Sequence, residues 1–198
     1  MSWEYSLPMF LIILAGFPHG AADGVLIFRF ARQRKLYSAA IFVAYIFVAA
    51  VTAIIWFLQP WIGLGSFLLL SIYHFGLLDT LKSRNSAYRI QRIIVLGSLP
   101  IITISLAHPD EVTRIFQIIS GKGGASITLS IQTISVIWGI LLIWLMIFKR
   151  AIQLRMIAEM TGLTAALIIL PPMWGFAFYF CVLHSPRHFK KIFTVVAP

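Results

Sequence analysis

Residues Ser38 to Leu58 read SAAIFVAYIFVAAVTAIIWFL, an apolar run without one charged side chain. A helix rises about 1.5 Å per residue, so a run of this length matches the ~30 Å hydrocarbon core of a bilayer. That reading fixes the fold class as all-α, a polytopic transmembrane helical bundle. Applied outward in both directions, the criterion of roughly 20 mostly apolar residues predicts about seven spans. They fall at about 5–29, 38–58, 61–81, 92–107, 127–148, 156–171 and 173–193. Pro171-Pro172 forces a break between the last two and leaves the sixth short. Between the fourth and fifth, Val112 to Ser120 reads as a short surface helix. Asp110 or Glu111 serves its N-terminus and Gly121 to Gly124 ends it. No internal repeat, low-complexity tract or soluble domain interrupts the pattern, so 1–198 is expected to form a single integral-membrane domain.

Composition agrees. The chain of 198 residues is 60% hydrophobic and 11% charged, with a mean hydropathy of +0.93, whereas soluble domains carry about a quarter charged residues. The formal net charge of +10 raises the question of nucleic acid. The Lys and Arg residues stand in short clusters between apolar runs, the pattern of cytoplasmic loops, which argues against that partner. With the N-terminus outside, the inner loops hold Arg29, Arg32, Arg34, Lys35, Lys82, Arg84, Arg89, Arg92, Lys149, Arg150, Arg155, Arg187, Lys190 and Lys191. That is 14 of the 16 basic residues, leaving Arg114 and Lys122 outside. So lopsided a split predicts a cytoplasmic C-terminus and a multi-pass protein of the cell (inner) membrane. The first apolar stretch has no basic flank, carries Glu4, and contains His19 and Asp23; it reads as a retained helix rather than a cleaved signal. Cys181, the single cysteine, is read as packing.

Ionisable groups inside a span cost a few kcal/mol or more, so they mark function. Here they are His19 and Asp23 in span one, His74 and Asp79 in span three, Glu159 in span six, and His184 and His188 in span seven. Counted back from the first inner basic residue at ~1.5 Å per residue, His19 lies ~15 Å deep and His74 ~12 Å. His184 lies ~9 Å deep and His188 ~3 Å. All four histidines therefore share the inner half of three parallel spans. His184 and His188 stand four apart, so they occupy one helical face and can approach a single ion. Gly16, Gly20 and Gly24 form a small-residue stripe that lets another helix come close beside His19, and Gly76 does likewise near His74. Four neutral imidazoles suit iron, zinc, copper or nickel, and spacing alone does not choose among them. Asp23, Asp79 and Glu159 are candidates for orienting the histidines or relaying protons.

Blander readings compete. A lone membrane histidine is often a hydrogen-bond donor between helices, and that applies most to His74. His108 sits on the other side next to Pro109 and reads as capping or loop structure. The aromatics Trp174, Phe176, Phe178, Tyr179 and Phe180 are first of all packing or lipid-facing side chains; their place just outside the histidine pair raises a substrate-lining role. Other classes also fit: a metal-dependent membrane enzyme acting on an apolar lipid, or a haem-binding electron-transfer membrane protein.

Three motifs carry a resemblance. Gly16-Phe17-Pro18-His19-Gly20-Ala21-Ala22-Asp23 resembles the first signature of the Brp/Blh family of bacterial and archaeal β-carotene 15,15'-dioxygenases. Ser71-Ile72-Tyr73-His74-Phe75-Gly76 through Asp79 resembles the second. Phe178-Tyr179-Phe180, followed by His184-Ser185-Pro186-Arg187-His188, resembles the third. His108-Pro109-Asp110-Glu111 and Glu159 are similar to that family too. The likeness runs over nearly the whole chain in the right order. It implies cleavage of β-carotene by O2 at the central 15,15' double bond, giving two all-trans-retinal molecules. It also implies non-haem Fe(II) held by His19, His74, His184 and His188. Asp23, Asp79 and Glu159 would stand behind the ligands, and Tyr73, Trp174, Phe178 and Tyr179 would line the substrate. Family members continue past the third motif with further hydrophobic segments, so this chain is expected to lack the usual C-terminal spans. Oligomeric state is not legible at this stage.

Overall fold

The computed structural model describes residues 3–31, 35–80, 88–148 and 154–196. The side chains of Asp23 and Asp79, two of the expected carboxylates, lie outside the described residues, as do the basic segments 32–34, 81–87 and 149–153. Among the described residues every regular element is helical, as the apolar runs predict. In order they are α1 (Trp3–Ala31), α2 (Lys35–Leu58), α3 (Pro60–Thr80), α4 (Arg89–Ala107), α5 (Pro109–Ser120) and α6 (Gly123–Ile143). A π-helical turn, Trp144–Phe148, extends α6; then come α7 (Leu154–Ile169), α8 (Pro172–Phe178), a second π-turn (Tyr179–His184) and α9 (Ser185–Val196).

Four helical stretches are long and apolar enough to cross a membrane: Ala39–Leu58, Pro60–Leu78, Arg89–Ala107 and Gly123–Ile147. They coincide with the second to fifth expected spans. The first expected span lies within α1. The sixth corresponds to α7, which has only 16 residues because two prolines follow it. The seventh is divided between α8, the π-turn and α9, and α9 is strongly amphipathic rather than uniformly apolar. Large apolar side chains face outward along these helices: Phe57 is 86% exposed and Phe17 80%. Water would not tolerate so continuous an apolar surface, and lipid requires it. Four apolar helices of this kind mark a membrane protein.

The chain forms two compact units: 1–58 with 177–198, and 59–176. In the first, α1 packs against α2, the second π-turn and α9. Pro8 is among its most completely buried residues. Cys181 does more than fill space, since its thiol donates to the Leu11 carbonyl at 3.4 Å.

In the second unit α4 is the central helix, buried along most of its length and packed against α3, α5, α6 and α7. Its tightest neighbour is α3. A Cβ placed on Gly76 would collide with the backbone of Ile93, and one placed on Gly97 would collide with the Ile72 carbonyl. Two glycines thus let the backbones cross in contact, the substitute for hydrophobic driving force that helix pairs in lipid use. On the other side of α4, Trp138 Nε1–H donates to the Val95 carbonyl at 3.1 Å. Val95 and Leu145 are completely buried, with Trp138, Leu142, Met156 and Met160 packed around them. Gly121 ends α5 at φ +66°, a conformation that favours glycine, and Asp110 and Glu111 occupy the first turn as expected.

Of the expected Gly16, Gly20 and Gly24 stripe, the surroundings of Gly24 lie outside the described residues, and among the described residues Gly16 and Gly20 meet no close backbone. The nearest atom to a Cβ on Gly16 is Phe180 Cε1 at 3.9 Å, and nothing lies within 4 Å of one on Gly20. Gly76→Ala or Gly97→Ala is therefore expected to destabilise the fold by about 1–3 kcal/mol or more through overpacking. Gly20→Ala should be neutral or slightly stabilising. Thermal unfolding of the three variants in one detergent checks the contrast.

Candidate metal centre

Two helices of the first unit bring three of the expected ligands together. His19 follows Pro18 in the middle of α1, where the proline withholds an N–H from the helical ladder. His184 closes the second π-turn and His188 lies in the first turn of α9. The ring centroids of His19 and His188 stand 4.1 Å apart, and those of His19 and His184 stand 5.2 Å apart. His184 and His188 are 6.3 Å apart with rings inclined by only 16°. All three are buried, at 8%, 2% and 7% exposure respectively. The spacing of four that put His184 and His188 on one face is thus realised, and His19 meets that face.

The π-turn shapes the aromatic surroundings. In it the Ser185 N–H donates to the Phe180 carbonyl, five residues back rather than four. Widening the turn lets residues four and five before His184 both reach its ring. Phe180 stacks on it at 5.9 Å and 21°, while Tyr179 approaches at 5.9 Å and 33°. Phe180 also touches His19 at 5.5 Å, and Phe189 meets that ring edge-on at 6.5 Å. The sequence raises Phe180 only as a packing or substrate-lining aromatic and does not single out Phe189. Their signal is the spacing, since Phe180 precedes His184 by four and Phe189 adjoins His188.

The remaining expected residues are placed as follows. His74 stands on α3 in the second unit, half-buried, its ring 6.1 Å from that of Phe75. Tyr73 beside it is 57% exposed. Trp174 and Phe178 are half-buried on α8, and Tyr179 is buried. Glu159 lies on an exposed face of α7, with its carboxylate 3.4 Å from Arg155 Nε across one turn. His108 occupies the junction of α4 and α5, but its ring makes no capping bond. Instead its Nε2 lies 3.3 Å from the Leu167 carbonyl.

The donor chemistry fits a transition metal. Neutral imidazole nitrogens bind Fe, Zn, Cu and Ni well, and buried rings from separate helices are the arrangement a helical bundle uses to hold an ion. Aromatic walls on two sides fix the ring orientations and keep bulk water away.

Helices and histidines together define a membrane protein with a buried imidazole cluster. The chain belongs to the beta-carotene 15,15'-dioxygenase family, whose sequence model matches residues 10–197. It is similar to a protein named beta-carotene 15,15'-dioxygenase from the uncultured marine bacterium 66A03, with 29% identity over 195 residues. That match covers 92% of this chain and 67% of the relative. No solved structure matches the chain.

Phe180 supports two imidazoles at once. Phe180→Ala is expected to cost about 2–4 kcal/mol of stability, as for a large aromatic truncated in partly buried surroundings. Metal uptake should weaken with it. Unfolding and metal titration on one preparation check both effects.

Proposed function

We propose that this chain uses iron to cleave β-carotene with O2 at the central 15,15' double bond, giving two molecules of all-trans-retinal. The observation that carries the reading is the meeting of three buried imidazoles, His19, His184 and His188, in a chain of the dioxygenase family. His74, named by the second motif, completes the ligand set. Bound there, Fe(II) would supply the means of activating O2 beside the polyene. Everything else falls to the protein. The histidines act as neutral nitrogen donors, so nearby carboxylates are left to offset the ion's charge. On this reading Asp23, Asp79 and Glu159 orient ligands or carry protons. Tyr73, Trp174, Phe178 and Tyr179 line the substrate, and their ring faces favour positive charge developing along the polyene.

A membrane location serves this chemistry. β-Carotene is an apolar rod of roughly bilayer length, dissolved in the hydrocarbon core. An enzyme for it takes substrate sideways from lipid. The full arrangement proposed is a single integral-membrane domain over 1–198, multi-pass in the cell (inner) membrane, with about seven spans. Its N-terminus is outside and its C-terminus cytoplasmic.

Protein purified in detergent without added chelator is expected to hold about one iron per chain and to convert β-carotene to retinal only in the presence of O2. His184→Ala should lose iron and slow cleavage by roughly 100-fold or more. Iron near zero together with undiminished cleavage in that variant would falsify the reading. Turnover of a different apolar lipid without O2 would point to a zinc enzyme, and a Soret band to haem.

A further inference from the structure

The stretch His108-Pro109-Asp110-Glu111 belongs to the family likeness but has no task in the chemistry above. Its histidine serves a backbone need created 59 residues away. In an α-helix the carbonyl of residue i receives the N–H of residue i+4. For Leu167 that donor would be Pro171, which has no N–H to give. The groups around it are served from the backbone: Leu170 N–H reaches the Ala166 carbonyl at 2.9 Å, and Gly175 N–H reaches that of Pro171 at 2.8 Å. The Leu167 carbonyl accepts from His108 Nε2 at 3.3 Å instead. A carbonyl can only accept, so that nitrogen carries the proton.

The contact is one part of a joint within the second unit. Leu167 is completely buried. Gly175, in the first turns of α8, lies against it and Ile104: a Cβ there would stand 3.2 Å from Leu167 Cδ2 and 3.8 Å from Ile104 Cδ1. The backbone N–H of His108 donates to the Ile104 carbonyl at 3.0 Å. The end of α4, the end of α7 and the start of α8 are thereby pinned together. From α8 the chain continues directly through the π-turn into α9, carrying His184 and His188.

The geometry points to His108 as a positioning residue: its imidazole replaces the N–H that Pro171 withholds and fixes the joint at which α4, α7 and the start of α8 meet.

The test uses the full chain in detergent and three changes. His108→Phe keeps the bulk and removes the donor, His108→Gln keeps a donor, and Pro171→Ala gives Leu167 a backbone N–H of its own. Amide hydrogen exchange over 166–176 is the readout. Exchange in His108→Phe should be about tenfold faster than in the parent, the size expected when a buried carbonyl loses its partner. His108→Gln should retain most of the protection, and adding Pro171→Ala to His108→Phe should restore it. Parent-like exchange in His108→Phe overturns the assignment. So does equal loss in the Gln variant, or failure of Pro171→Ala to rescue, which also decides the matter if His108→Phe alone does not fold.

Discussion

In hydrocarbon no water is at hand to receive a stray N–H or C=O, so a chain must satisfy each backbone polar group from its own atoms. Helices meet most of that demand, and several of the exceptions among the described residues fall at prolines. Pro18 removes a donor immediately before His19, Pro171 and Pro172 remove two at the end of α7, and Pro186 removes one between His184 and His188. Around two of these places the structure departs from a plain α-helix. An imidazole is recruited to the Leu167 carbonyl, and a π-turn carries the Ser185 N–H back to Phe180. At the candidate metal centre the π-turn ends on His184, and a widened turn aims side chains in directions a regular helix forbids.

Packing follows a different rule from that of a soluble core. Nothing is gained by moving an apolar side chain from lipid to another helix, so close backbone contact and specific polar bonds have to hold helices together. The α3–α4 crossing at Gly76 and Gly97 shows the first, and Trp138 on Val95 and the Cys181 thiol on Leu11 show the second. The three buried histidines stand out against this background because they gather three imidazole rings in one place.

How much of this the sequence disclosed depended on the range of the interaction. The uncharged run from Ser38 to Leu58 declared a helix of membrane length without ambiguity, since only local composition was needed. His184 and His188 were legible as a pair because four residues make one helical turn. His19 was legible only as lying within the same half of the membrane; that it meets the pair is a tertiary fact. The glycines show the limit well. Gly16, Gly20 and Gly76 all announced a surface that another helix could approach, yet the tight crossing formed only at Gly76, with Gly97 opposite it. Small residues state where contact is permitted, not which neighbour arrives. His108 looked like a local cap because Pro109 follows it, and its partner, 59 residues on, leaves no local trace. The π-turn was equally hidden, because no composition signals five-residue bonding over four.

That turn has a consequence for length rather than composition. An ordinary helix advances about 100° per residue, and the extra residue accommodated between Tyr179 and His184 sets the phase between Tyr179 and α9. Removing one residue from this turn would leave His184 and His188 in unchanged register with each other while swinging both around the helix axis relative to Phe178 and Tyr179. Insertions and deletions here therefore act as a rotary dial on the ligand pair. Relatives that differ by a single residue in this turn would share every motif letter and still aim their histidines differently.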